Sequence, residues 1–304
     1  MTPHNRFGDL FIVGAGAIGS LIAAGFSHSE IAYQWILRER TLPPDAVKTF
    51  RYGEINLLNK QWQRGKFSAS DIIVLPLKAY QIADALKLLQ PLLHPSTVVI
   101  LMHNGMGGAE VAREVLGPLQ PTYLATTSQA ALKQAATRVE HTGLGDTYVG
   151  MSWLCKATNK SDDIANLLEQ TLAPTFVATD MKAALWKKLI INAAINPLTA
   201  LHSIRNGELQ QTQYRETITR VCEEACAVAK CEDILLDSIE MVETVLRVAK
   251  DTAQNYSSMN RDVHARRQTE IDSISGYIVE IANKKGIHVP VNALLYESIK
   301  QCAI

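Results

Sequence analysis

No uninterrupted apolar run in this chain of 304 residues approaches the ~20 residues that a helix needs to cross a bilayer, which excludes a helical membrane span. Excess charge is missing as well. The 30 lysines and arginines balance 30 aspartates and glutamates, so there is no basic footprint for nucleic acid. The stretch from Met1 to Asp9 lacks the apolar core of a secretory signal and reads as a polar lead-in to a strand. Cysteine is scarce and odd in number: Cys155, Cys222, Cys226, Cys231 and Cys302. With no export signal, that favours reduced thiols and a cytoplasmic location. Cys222 and Cys226 can share one face of a helix, but no His/Cys pair at zinc spacing accompanies them. They read as small core residues, and no metal is expected. The chain also lacks internal repeats and low-complexity tracts.

What is present is an ordinary globular balance, 47% hydrophobic and 20% charged, at a length that accommodates two domains. The first half alternates short apolar runs with helical segments. Strands are expected at 10–13, 32–37, 71–75 and 97–101, with later ones over 121–127, 138–140 and 147–150. Helical segments follow the first strand, to about Phe26, and the third, over 81–89. Such alternation implies an α/β fold with a mostly parallel sheet covered on both faces. After residue 178 the pattern changes. Periodicity near 3.6 covers about 180–202, 207–231, 236–255, 259–285 and 291–302, with no convincing strand. Pro197 falls inside the first of these and is expected to kink or break it. The expected division is therefore an α/β domain over 1–178 and an all-helical domain over 179–304.

Gly14-Ala15-Gly16-Ala17-Ile18-Gly19 follows the first strand and opens a helix. Glycines there allow a tight turn and close approach of backbone to a pyrophosphate, while the helix start offers amide donors and a favourable dipole. In strand–turn–helix context this marks a Rossmann-type dinucleotide site. The second strand ends near Arg38, which is placed to pair with a 2′-phosphate and favours NADP. Glu39 is next in the chain and offers the competing NAD reading, through the ribose hydroxyls. Lys78 and Asn104 end the third and fourth strands. Ligands bind beyond the carboxyl ends of strands in open α/β sheets, so both are expected near the cofactor. The plain alternatives are a solvated lysine and a turn asparagine before Gly105.

The helical half opens with Ala184-Leu-Trp-Lys-Lys-Leu-Ile-Ile-Asn-Ala-Ala-Ile-Asn196. Lys188, Asn192 and Asn196 recur at steps of four and share one face of an otherwise apolar helix. A desolvated ammonium flanked by amides suits a proton donor beside a polar substrate; the plain reading is an exposed lysine with two structural asparagines. Further on, Ser257 or Ser258 is expected to cap a helix and leave amides for a carboxylate. Glu270, by itself, reads as a solvent-facing helical glutamate.

Taken together, these motifs resemble the ketopantoate reductase (2-dehydropantoate 2-reductase) family. The carriers are the Gly14–Gly19 loop, Leu77-Lys-Ala79, His103-Asn-Gly-Met-Gly107, Leu185-Trp-Lys-Lys188, Asn192 to Pro197, Asn206-Gly-Glu-Leu209, Asn255 to Met259 and Thr269-Glu-Ile-Asp272. The resemblance implies an NADP-binding Rossmann domain followed by a helical substrate domain, and reduction of 2-dehydropantoate by NADPH in the pathway to pantothenate and coenzyme A. It implies Lys188 as catalytic acid and Glu270 as the active-site glutamate that organises substrate and cofactor. Asn104, Asn192, Asn196, Asn206 and Ser258 fall at substrate positions, and Lys78, Asn104, Ala131 and Glu270 at cofactor positions, beside the glycine loop and the Arg38 read above from its strand end. A small-molecule substrate, no nucleic acid, no membrane, and a monomer or homodimer are expected. Gln129 departs from the family pattern, standing where relatives often have His, and so does Asn260-Arg261. A shifted preference for another small keto or hydroxy acid would be sought there. A cofactor-binding regulator is the reading from another class, and it would have no use for Lys188 and Glu270 together.

Overall fold

The computed structural model describes residues 7–135, 138–155 and 158–302; most of the polar lead-in therefore lies outside the described residues. The chain forms two compact units, Met1–His103 with Gly108–Met181, and Asn104–Gly107 with Lys182–Ile304. Among the described residues no helix is long and apolar enough to cross a membrane.

The first unit runs β1 (Leu10–Val13), α1 (Ala17–His28), β2 (Gln34–Ile36), β3 (Ala46–Thr49), β4 (Gly53–Asn56), β5 (Ile72–Leu75), α2 (Ala79–Leu89), β6 (Val98–Met102) and α3 (Gly108–Leu116). It continues through β7 (Thr122–Thr127), β8 (Ala130–Ala135), β9 (Arg138–Gly143), β10 (Thr147–Met151), α4 (Ser161–Leu172) and β11 (Thr175–Val177). Seven strands form one sheet in the order β11-β10-β7-β6-β5-β1-β2. It is mostly parallel, as expected; the exception is β10, which runs antiparallel to β7. Strands β1, β5 and β6 are buried along their whole length, which explains their unbroken apolar sequences.

A second sheet, β4-β3-β9-β8, is not anticipated beyond the segment at 138–140. Its apolar signal is faint because few of its side chains are fully buried, chiefly Val47 and Val139. Helix α4 lies outside the expected helical segments, although Ile164, Leu167, Leu168 and Leu172 are buried at helical spacing.

The second unit contains α5 (Met181–His202), α6 (Arg215–Lys230), α7 (Ser238–Asp251), α8 (Ser258–His264), α9 (Ser275–Lys285) and α10 (Pro290–Cys302). Among its described residues there is no strand. The break allowed for at Pro197 does not occur, and helix α5 passes through it. Every residue from Ala193 to Ala200 is buried, and that packing offsets the hydrogen bond the proline removes. The segment 259–285 is not one helix but α8, a turn and α9. Residues 265–268 are exposed, Arg266 takes a positive φ of 50°, and Thr269 and Glu270 then turn inward. Cys222 and Cys226 are core residues of α6, their thiols pushed by burial up to about 12 and about 11, which keeps them unreactive.

Candidate active site

In the helical unit, α5 positions the lysine and amides by its period alone. Lys188, Asn192 and Asn196 stand one turn apart in succession, Lys188 and Asn192 half-buried and Asn196 buried. The Lys188 side chain keeps some solvent exposure, yet the protein packed around it lowers its pKa from 10.5 to about 8, against the opposing pull of the Glu270 carboxylate.

Glu270 is 5% exposed, so the solvent-facing reading of an isolated helical glutamate does not hold. It caps the 3-10 turn Ile271–Ser273, which holds it inward. Asn104 Nδ2 donates to Glu270 Oε2 at 3.2 Å. Three features dock the Asn104–Gly107 segment onto that turn. Met106 N donates to Ser273 O at 2.8 Å. Ser273 Oγ donates to Asn104 O at 3.4 Å and Glu270 O at 3.0 Å. Gly105 sits at φ +82° with its Cα so near Ser273 that a Cβ would lie 2.2 Å from the Ser273 carbonyl oxygen. Only glycine meets both demands. On the far side, Asp272 accepts from Tyr296 Oη at 2.8 Å and Lys300 Nζ at 3.0 Å, tying the turn to α10. Ser273 and Asp272 carry no sequence signal of this role.

A second group surrounds Asn206. Its backbone N donates to Asn255 O at 2.9 Å and its Nδ2 to Thr252 Oγ1 at 2.9 Å, while its buried Oδ1 has no hydrogen-bond partner. An acceptor left over in an otherwise satisfied buried amide is suited to a ligand hydroxyl. Ser257, not Ser258, caps α8: its Oγ accepts from Asn260 N at 3.1 Å and from Thr199 Oγ1 at 2.7 Å. Ser258 is the exposed first residue of that helix. Asn260 Nδ2 donates to Thr199 O at 2.7 Å, so this departure from the family pattern is committed to the fold.

In the α/β unit, Gly14 turns the chain at φ +86°. A Cβ on Gly19 would lie 2.6 Å from Gly14 O, so the loop is closed where α1 packs on β1. Gly16 is exposed, with its nearest neighbour for a Cβ 3.9 Å away, so the loop is open there. Helix α1 starts with no side-chain cap and no acidic residue in its first turn. That donor set fits a dinucleotide pyrophosphate. Ala15, Ala17 and Ile18 complete the loop; Arg38 and Glu39 are exposed just beyond β2. Lys78 is half-buried at the start of α2, and Ala131 lies on β8. Gln129 belongs to a different kind of site. It is buried, its Nε2 donates to Ala173 O at 2.8 Å and also to Gly145 O, and its Oε1 accepts from His141 Nε2 at 2.7 Å. Burial holds the His141 pKa below its ordinary value. Among the described residues no cluster of His, Cys, Asp or Glu could hold a metal ion.

The chain is similar to known proteins over nearly its whole length. Residues 10–152 match the family model described as ketopantoate reductase PanE/ApbA, and residues 180–303 match its C-terminal counterpart. A 2-dehydropantoate 2-reductase of Vibrio cholerae is 36% identical over 292 residues, covering 96% of this chain and 97% of that protein. A solved structure of a probable 2-dehydropantoate 2-reductase from Bacillus subtilis is 28% identical, with a TM-score of 0.80 over 97% of this chain and 100% of that one. D-mandelate dehydrogenase, solved with NADH and anilino(oxo)acetate, gives a TM-score of 0.87 at 21% identity, over 97% of this chain and 98% of that one. This last likeness is one of fold.

Proposed function

The chain belongs to the ketopantoate reductase family of oxidoreductases, and from that premise we propose that it reduces 2-dehydropantoate to (R)-pantoate with NADPH, on the route to pantothenate and coenzyme A. The observation that carries the reading is the Lys188 ammonium, its pKa lowered to about 8, electrostatically coupled to a buried glutamate that Asn104 holds in place.

Reduction of a 2-keto acid needs a hydride at C2, a proton for the oxygen, and donors for the carboxylate. A nicotinamide cofactor supplies the hydride. Lys188 supplies the proton from Nζ to the developing C2 alkoxide. A donor with a pKa near 8 is still charged at neutral pH and gives up its proton more readily than an ordinary lysine. Glu270 keeps that lysine charged, because its carboxylate raises the pKa that burial lowers. Asn192 and Asn196 bind substrate oxygens without a negative charge that would quench Lys188. Asn206 offers its spare Oδ1 to a substrate hydroxyl, and Ser258 stands at the first turn of α8 for the carboxylate. In the α/β unit, the Gly14–Gly19 loop takes the pyrophosphate, Lys78 and Ala131 flank the cofactor, and Arg38 takes the 2′-phosphate. Departures at Gln129 and Asn260 do not argue for another substrate, because both side chains are occupied within the fold.

The test is loss of reduced-nicotinamide absorbance against a panel of 2-keto acids, with NADPH and NADH in parallel. Ketopantoate with NADPH is expected to give the highest kcat/KM, and Arg38→Ala to weaken NADPH far more than NADH. Preference for another keto acid would move the substrate assignment. An unchanged NADPH/NADH ratio in Arg38→Ala would move cofactor selection to Glu39 or elsewhere.

A further inference from the structure

We propose that Lys133 is an additional cofactor-binding residue, which closes over the pyrophosphate of the dinucleotide from the small sheet. The proposal rests on the cofactor reading above and adds a charge that the glycine loop does not supply.

Lys133 lies on β8, yet its Nζ donates to Ala15 O, inside the glycine turn, at 3.3 Å. The placement follows from the packing of α1 against β8. Ala131 and Lys133 pair with His141 and Val139 on β9, so they share one face of the strand. That face presents first a small residue and then an ammonium. The lysine is exposed and, among the described residues, is held by no carboxylate. Glu140, the nearby acid on β9, is already engaged by Lys48 at 3.1 Å and by Gln134. Nothing acidic stands in the first turn of α1 to compensate the lysine or the helix start.

A pyrophosphate diester carries two negative charges. The loop amides and the helix dipole supply only partial charges, whereas an ammonium supplies a whole one. The carbonyl of Ala15 is a weak partner for Lys133, and the flexible four-carbon stem lets the ammonium move to a phosphate oxygen beside the same turn. Arg38, beyond β2, serves the adenosine ribose end. The two cations therefore have separable effects: Lys133 acts on NADPH and NADH alike, while Arg38 distinguishes them.

The test is calorimetric titration of NADPH, NADH and adenosine 2′-monophosphate into the wild type, Lys133→Gln and Lys133→Arg. Lys133→Gln is expected to weaken NADPH and NADH by the same factor, roughly ten-fold. It also flattens the salt dependence of binding and leaves adenosine 2′-monophosphate, which has no pyrophosphate, unchanged. Lys133→Arg retains most of the affinity. Unchanged NADPH and NADH affinities in Lys133→Gln would overturn the proposal while the cofactor reading stood. So would a loss confined to NADPH, or an equal loss for adenosine 2′-monophosphate. A wild type that bound neither dinucleotide would remove the cofactor reading and this proposal together.

Discussion

At the scale of the residue, the proposed chemistry turns on one proton. Lys188 is protonated below about pH 8 and loses its charge above it. In the proposed mechanism ketopantoate reduction consumes that proton, so kcat/KM is expected to fall as pH rises through about 8, and the reverse oxidation to rise over the same range. The position of this limb has a second handle. The Glu270 carboxylate raises the Lys188 pKa, so Glu270→Gln is expected to move the limb to lower pH, whatever it does to the maximal rate. A limb that stayed in place in Glu270→Gln would separate the two residues. The seam Lys188, Asn192, Asn196 was legible in the sequence because a helix converts steps of four into one face. Glu270 was not legible from its own surroundings. Its partner Asn104 is 166 residues away, and the bend at 265–268 that turns it inward has no periodic pattern.

At the scale of the element, the sequence announces every strand of the large sheet except β11, and of the small sheet only the start of β9. Buried parallel strands must be apolar throughout, whereas β3, β4, β8 and β9 carry Lys48, Glu54, Lys133 and Glu140 among few buried side chains. Gln129, between β7 and β8, shows the cost of missing that sheet. Read along the chain, it is a substitution in a family motif. In the fold, it binds the carbonyls of Ala173 and Gly145 and the ring of His141. Gln129→Ala leaves buried carbonyls and the imidazole without this partner and is expected to lower stability by about 2 kcal/mol. The keto-acid preference of the folded enzyme is expected to stay as it was. Thermal unfolding and the substrate panel check the two halves of this statement, and an intact melting temperature with a changed preference would reverse them.

At the scale of the whole molecule, the proposed function divides labour by unit. The α/β unit carries the glycine loop, Arg38, Lys78, Ala131 and Lys133, a set suited to phosphates and a nucleoside. The helical unit carries Lys188, Glu270 and the amides, a set suited to a small keto acid and its proton. Asn104–Gly107 belongs to the helical unit although it follows β6 in the chain, since it is docked on the Ile271–Ser273 turn. This division makes binding and chemistry separable by mutation. The most direct test is Lys188→Ala under single-turnover conditions with NADPH and ketopantoate, with NADPH affinity measured on the same protein. The predicted result is NADPH bound nearly as in the wild type and hydride transfer reduced to a small residue of its rate. Wild-type hydride transfer in Lys188→Ala would contradict the assignment of the proton donor.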